Sequence, residues 1–291
     1  MLSAAGSRFA AYLSLTKPRL VLLVLVTVAV GFLLGARGSA HPATLTATLL
    51  GTALVAGGAG ALNQWLERER DGRMRRTAGR ALPSGRLTPS EAVLFGCLLG
   101  LLGTLILASS ANLLAATVAL ATLVLYVFVY TPLKPRTTLN TVVGALPGAL
   151  PPVIGWGAAT GRLGVEAWAL FLIVFLWQFP HFLAIAWIYR ADYQRAGFRM
   201  LTGRDAKGTM TGCQAVSYAL ALLPVGLLPA TVGLAGPLYF VGALVLGLLY
   251  LGAAAGFWLD VSDLRARRLL RMSFVYLPAI LLLLLLNPMP Y

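Results

Sequence analysis

Long apolar runs recur from one end of this 291-residue chain to the other, and they decide what it can fold into. A helix of about 20 apolar residues crosses the hydrocarbon core of a bilayer. Nine such runs can be placed, at about 20–35, 44–62, 91–109, 112–130, 140–159, 167–189, 213–232, 238–258 and 272–287. Charged residues are 11% of the chain, against about 25% in an ordinary soluble domain. The expected fold is an all-α membrane protein, a bundle of about nine transmembrane helices, with residues 1–291 forming one polytopic domain. Lys17 and Arg19 precede a run that reads as a retained first span rather than a cleaved signal peptide.

The formal net charge of +14 is distributed as a membrane protein distributes it. Of the 23 Lys and Arg residues, 21 fall in segments on one side of the bundle, with only Arg37 and Arg162 opposite. That bias marks a cytoplasmic face, which puts the N-terminus and the polar loops at about 63–90, 190–211 and 260–271 inside, and the C-terminus outside a bacterial-type plasma membrane. Such a face favours anionic lipids and anionic substrates. No basic segment has the isolation or aromatic interleaving of a nucleic-acid module. Cys97 and Cys213 lie in or beside apolar runs without partner spacing and read as small hydrophobes. The Gly57-Gly58-Ala59-Gly60 run lets another backbone approach closely. Pro147, Pro151 and Pro152 break or kink the fifth span, which is tolerated only inside protein or beside a cavity.

Asn63-Gln64-Trp65-Leu66-Glu67-Arg68-Glu69-Arg70-Asp71 follows the second apolar run directly. Asn63, Glu67 and Asp71 are spaced by four, so on a helix they share one stripe roughly 12 Å long. Three oxygen-bearing side chains at a membrane edge are an arrangement that a hard cation such as Mg2+ can use. Arg75, Arg76 and Arg80 add positive charge beside the acids. Carboxylates for a metal and arginines for oxyanions point to a diphosphate substrate. The alternative is an amphipathic helix end carrying solvated i,i+4 ion pairs.

Asp192 sits in a counterpart stretch, Tyr189 to Phe198, as the only acid near that helix end. It serves either a second metal or an ion pair with Arg190 or Arg195. His181 lies inside the sixth span, where an ionisable residue is a functional hypothesis by default. Unbroken helix from His181 to Asp192 would turn through about 1100° and rise about 16 Å, leaving both near one face, with Gln178 close to the same stripe. Metal ligand, haem-iron ligand and hydrogen-bonded packing residue are all open to a neutral imidazole. His41, beside Pro42, reads as a surface residue.

These residues are similar to those of the intramembrane UbiA-type prenyltransferases, whose Asn/Asp-rich first motif resembles Asn63-Gln64-x-x-Glu67-x-x-x-Asp71. A narrower resemblance, to the haem-farnesylating branch, rests on further blocks in the same order. They are Met74 to Thr77, Tyr130-Thr131, Lys134, Arg136-Thr137, Asn140 to Pro152, Pro180-His181-Phe182, Asp192-Tyr193, Ala196-Gly197 and Met200-Leu201. The His-bearing sixth span and the single Asp of the second motif separate the chain from the quinone prenyltransferases. Two positions depart from the branch: Arg80-Ala81-Leu82 stands where it has Arg-Pro-Leu, and Lys134-Pro135-Arg136 where it has Lys-Arg-Arg. The second departure removes a loop cation.

The resemblance implies a bundle around a central cavity open to the cytoplasmic side. It implies transfer of a farnesyl group from farnesyl diphosphate to a vinyl group of haem b (protohaem IX), with a hydroxyl from water, forming haem O and diphosphate. Haem b is then substrate, and Mg2+ is the cofactor, held by Asn63, Glu67, Asp71 and Asp192. Arg75, Arg76, Arg80, Lys134, Arg136, Arg190 and Arg195 become candidates for the diphosphate oxygens, with Lys207 a weaker one. Seven cations exceed what one diphosphate contacts, so some pair with acids or haem propionates. His181 ligates or orients the porphyrin, and Tyr130, Trp177 and Phe179 shield a carbocation. The implied partners are the lipid bilayer and a downstream haem-modifying enzyme. Rival readings are the same fold acting on a quinone precursor, a transporter of an anionic metabolite that binds at His181 and the broken fifth span, and an assembly factor without chemistry.

Overall fold

A computed structural model describes residues 2–289. Among them the chain is helical almost throughout, and its one extended pairing is an isolated bridge between Ala235 and Pro288. A lead-in helix α1 (Leu2–Leu15) precedes α2 (Pro18–Ala36), α3 (Pro42–Asp71) and α4 (Pro89–Ser110). The fourth span is composite: α5 (Leu113–Val124), a π-helical stretch Leu125–Tyr130 and the short α6 (Thr131–Leu133). α7 (Asn140–Ala149) and α8 (Pro151–Thr160) make the fifth span, and α9 (Val165–Ile188) the sixth. The short α10 (Arg190–Arg195) leads to α11 (Thr209–Thr231), α12 (Pro237–Leu259) and α13 (Asp263–Leu286). Among the described residues, nine helical segments are long and apolar enough to cross a membrane, as the sequence leads one to expect.

Local chemistry sets the ends of these helices. Proline opens α2, α3, α4, α8 and α12, where its fixed φ suits the first turn and its missing N–H loses no bond. Thr88 and Glu91 close a capping box on α4. The fifth span breaks at Leu150 because Pro151 has no N–H to continue the ladder of α7. In the fourth span Pro132 likewise interrupts the α pattern. The Thr131 N–H bonds five residues back to the Tyr126 carbonyl, which is the π turn, and the Thr131 hydroxyl donates to the same oxygen at 2.8 Å.

The spans meet through small residues. A Cβ at Gly58 on α3 would lie 2.6 Å from the Gly96 carbonyl oxygen on α4, and one at Gly155 on α8 would collide with the Val28 carbonyl on α2. Lipid tails are as apolar as leucine, so backbone approach of this kind is what draws helices together in a bilayer. Outward-facing Leu98, Leu101, Leu105, Leu244, Leu248 and Leu282 stay exposed. They form the belt that lipid covers.

Three expected boundaries move. Asn63 to Asp71 are the last turns of α3 rather than loop, and irregular chain begins only at Gly72. Gln, Glu and Arg are good helix formers, so the helix outlasts its hydrophobicity. For the same reason the charged stretch expected at 260–271 is mostly the first turns of α13, capped by Ser262. Helix also does not run unbroken from His181 to Asp192. α9 ends at Ile188, and Tyr189 (φ −106°, ψ 22°) redirects the chain before α10, so the shared face inferred from periodicity does not carry across.

Candidate active site

Asn63, Glu67 and Asp71 form the expected stripe on α3, and all three are buried, Asp71 at 0% exposure. A solvated helix end is thereby excluded. Each meets a basic group from a different part of the chain. Lys17 Nζ donates to Asn63 Oδ1 at 2.6 Å, Lys134 Nζ lies 2.7 Å from Glu67 Oε1, and Arg80 donates to Asp71 Oδ2 at 2.6 Å. Two carboxylates and an amide thus face three basic side chains in a confined space.

Three local devices assemble this cluster. The elbow between α1 and α2 holds Lys17 in the left-handed region (φ 53°, ψ 58°), an uncommon state for a residue with a Cβ. Gln64 pins the elbow by donating to the Leu15 carbonyl at 3.0 Å, and Gly60 admits that same carbonyl against α3. The π turn aims Thr131 and Tyr130 at α3: Asn63 Nδ2 donates to Thr131 Oγ1 at 2.9 Å, and the Tyr130 ring lies 4.6 Å from Lys134 Nζ. A Cβ at Gly144 would come within 2.5 Å of that ring, so the Tyr130 position depends on a glycine there. Arg80 arrives on the turn after α3, where the Thr77 hydroxyl donates to the Asp71 carbonyl at 2.8 Å.

Burial and the nearby Arg80 guanidinium pull the Lys17 ammonium down to about 7. Burial acts on Lys134 in the same direction, but Glu67, Tyr130 and Tyr126 outweigh it and hold that ammonium above its usual value.

The second constellation closes over the first. Met74, Ala196 and Phe198 pack together with Tyr193 and Met200, joining the segment after α3 to the segment after α9. The Arg199 N–H donates to the Lys134 carbonyl at 2.8 Å, and Asn140 Nδ2 donates to the Arg199 carbonyl at 2.9 Å. Asp192 is paired with Arg195 through a close ion pair. Arg190 turns away to Asp263 at 2.8 Å, at the start of α13. Arg76 stacks over Tyr189 at 5.4 Å, while Arg75, Arg136 and Lys207 are exposed.

The oxygens on α3 fit a hard divalent cation. Among the described residues, Asp71 Oδ1 is buried with no hydrogen-bond partner, and Glu67 Oε1 meets Lys134 as an ion pair without hydrogen-bond alignment. Among the described residues no three His, Cys, Asp or Glu side chains converge. Such a set suits Mg2+, which takes one or two carboxylates and completes its shell from water and substrate phosphate.

His181 faces α13. It is buried, its Nδ1 is 2.7 Å from Ser273 Oγ on α13, and its ring stacks on Trp177 with centroids 5.0 Å apart. Gln178 faces α7 instead, donating to the Ala145 carbonyl at 3.2 Å.

The family model for the UbiA prenyltransferase family matches residues 24–277. The chain belongs to that family. A protoheme IX farnesyltransferase from Solibacter usitatus is 48% identical to it, over 95% of this chain and 98% of that relative. Among solved structures, one of digeranylgeranylglyceryl phosphate synthase in membranes superposes with a TM-score of 0.79 at 17% identity, covering 96% of this chain and 98% of that one. A UbiA homologue from Archaeoglobus fulgidus bound to GPP and Mg2+ superposes with a TM-score of 0.61 at 17% identity, covering 94% of this chain and 99% of that one. These likenesses give the protein the fold of an intramembrane UbiA-type bundle. Within it, sequence reasoning had missed Lys17, Thr131 and Ser273 as members of polar clusters. The one available signal for Lys17 was a lone lysine placed immediately before the first span.

Proposed function

We propose that this protein transfers the farnesyl group of farnesyl diphosphate to a vinyl group of haem b, forming haem O and releasing diphosphate. The observation that carries the reading is the buried row of Asn63, Glu67 and Asp71 clasped by Lys17, Lys134 and Arg80. The activity named for the Solibacter usitatus relative supplies donor and acceptor. Asn63, Glu67 and Asp71, with Asp192 as a further ligand, would hold Mg2+, which would supply Lewis-acid neutralisation of the departing diphosphate.

The protein's own residues do the rest. Lys134 and Arg80 turn from the carboxylates to the diphosphate oxygens, and Lys17 joins them from the elbow. Arg75, Arg76, Arg136 and Arg195 stand by on the covering segments. Preorganised cations favour cleavage of the C–O bond, whose electron pair leaves with the diphosphate. The Tyr126 and Tyr130 rings lie beside Lys17 and Lys134 and face the allylic cation with their π systems. The vinyl π electrons form the new C–C bond, and water captures the resulting cation with loss of a proton. His181 holds the porphyrin through its iron.

The bundle is integral to the membrane, with the N-terminus and the active-site end in the cytoplasm and the C-terminus outside. A downstream haem-modifying enzyme would receive the product.

The test is to incubate purified protein with haem b, farnesyl diphosphate and Mg2+, and to weigh the extracted haem. A gain of one farnesyl and one hydroxyl group is expected. Unchanged haem together with prenylated hydroxybenzoate in a parallel incubation would assign the fold to another acceptor.

A further inference from the structure

Residue 273 holds two aromatic rings of α9 at once. The Ser273 carbonyl accepts from Trp177 Nε1 at 2.9 Å, and the Ser273 hydroxyl lies 2.7 Å from His181 Nδ1. Tyr250 on α12 adds a further tie by donating to the Trp177 carbonyl at 3.1 Å. Ser273 itself is fully buried.

Counting protons settles which way the contact runs. A serine hydroxyl has one hydrogen to give. Ser273 gives it to the Leu270 carbonyl, 2.6 Å away on its own helix. With that hydrogen engaged, both contacts are satisfied together when the ring donates to Ser273 Oγ, which puts the hydrogen on Nδ1. In a neutral imidazole that leaves the lone pair on Nε2, and Nε2 makes no hydrogen bond among the described residues. The Phe274 ring packs edge-on to the imidazole at 5.3 Å and the Trp177 ring stacks on it, so packing fixes its plane as well. A histidine with Nδ1–H tied to an oxygen and Nε2 open is the arrangement by which proteins orient an imidazole toward a metal.

We infer that Ser273 is a positioning residue which locks His181 in the Nδ1–H tautomer, so that Nε2 is presented to the iron of the porphyrin substrate. The inference rests on the proposed haem reading of His181 and deepens it. α13 thereby becomes part of the acceptor site, whereas the donor site is built from α3, the fourth span and the α1–α2 elbow.

The experiment is a haem b titration of the purified full-length protein in detergent, followed by optical and electron paramagnetic resonance spectra of the ferric complex. The wild type is expected to give a histidine-ligated spectrum. His181→Ala should abolish that signature, and its retention would overturn the haem reading itself. Ser273→Ala should weaken haem binding by about 10- to 100-fold, or alter the ligand field, as loss of the partner behind a ligating histidine does. The double variant should match His181→Ala alone. Wild-type affinity and spectrum in Ser273→Ala, alongside loss in His181→Ala, would overturn the Ser273 assignment while leaving the haem reading intact. Ser273→Thr and Ser273→Cys carry the test if the alanine variant does not fold. Threonine keeps the accepting oxygen and should keep the spectrum, whereas the weakly accepting thiol should not, and identical spectra in both would overturn the assignment.

Discussion

Glu67→Gln changes the charge of the site with almost no change of shape. In the folded protein the Glu67 and Lys134 side chains are 6% and 17% exposed and 2.7 Å apart. At an effective dielectric of about 20 the gross attraction at that distance is about 6 kcal/mol, most of which offsets desolvation of the two ions. Removing one partner of a buried pair costs about 3–5 kcal/mol. A glutamine oxygen that rotates into line with the ammonium accepts from it, and a hydrogen bond to a charged group recovers about 1.5–3 kcal/mol. The expected net loss of stability is therefore about 2 kcal/mol, visible as a lower Tm of a protein that still folds. Activity should fall further, because a carboxylate that helps hold the metal against a departing anion contributes about 100- to 1,000-fold in kcat. Glu69→Gln is the control: that side chain is 77% exposed, paired with Arg68, and outside the cluster. The assay is haem O formation and pyrophosphate release across a Mg2+ titration, with thermal unfolding followed on the same samples. Turnover of Glu67→Gln within about threefold of wild type at every Mg2+ concentration, or equal damage from Glu69→Gln, would refute the role given to the α3 stripe.

Three further outcomes are expected. Chelation with EDTA should stop haem O formation and added Mg2+ should restore it, since the α3 carboxylates repel a diphosphate unless a cation bridges the two; full turnover in EDTA would remove the metal from the scheme. Lys17→Met should raise the KM for farnesyl diphosphate or lower kcat by about tenfold or more, as loss of a charge-assisted hydrogen bond does, with the bundle intact by thermal unfolding. Gly155→Ala should destabilise the protein by about 1–3 kcal/mol, because the new Cβ meets the Val28 carbonyl and one backbone must move; the readout is Tm in detergent, and an unchanged Tm would show the α2–α8 contact to be looser than described.

Much of this molecule is local, and local features are what a sequence displays. Apolar run length marks the spans, proline positions mark the break at Leu150, and spacing by four puts Asn63, Glu67 and Asp71 on one face, because each follows from helix geometry within a few residues. What lay outside that reach was pairing. Lys17 meets Asn63 across 46 positions, and His181 meets Ser273 across 92. No periodicity relates residues so far apart, and the inference that joined His181 to Asp192 failed where one residue, Tyr189, left the helical region. The chain alone determined that there would be a membrane bundle with an acidic stripe at one end. Only the packing of elbow, π turn and covering segments decided which cations close on that stripe, since a buried charge takes whatever partner the fold brings within about 3 Å.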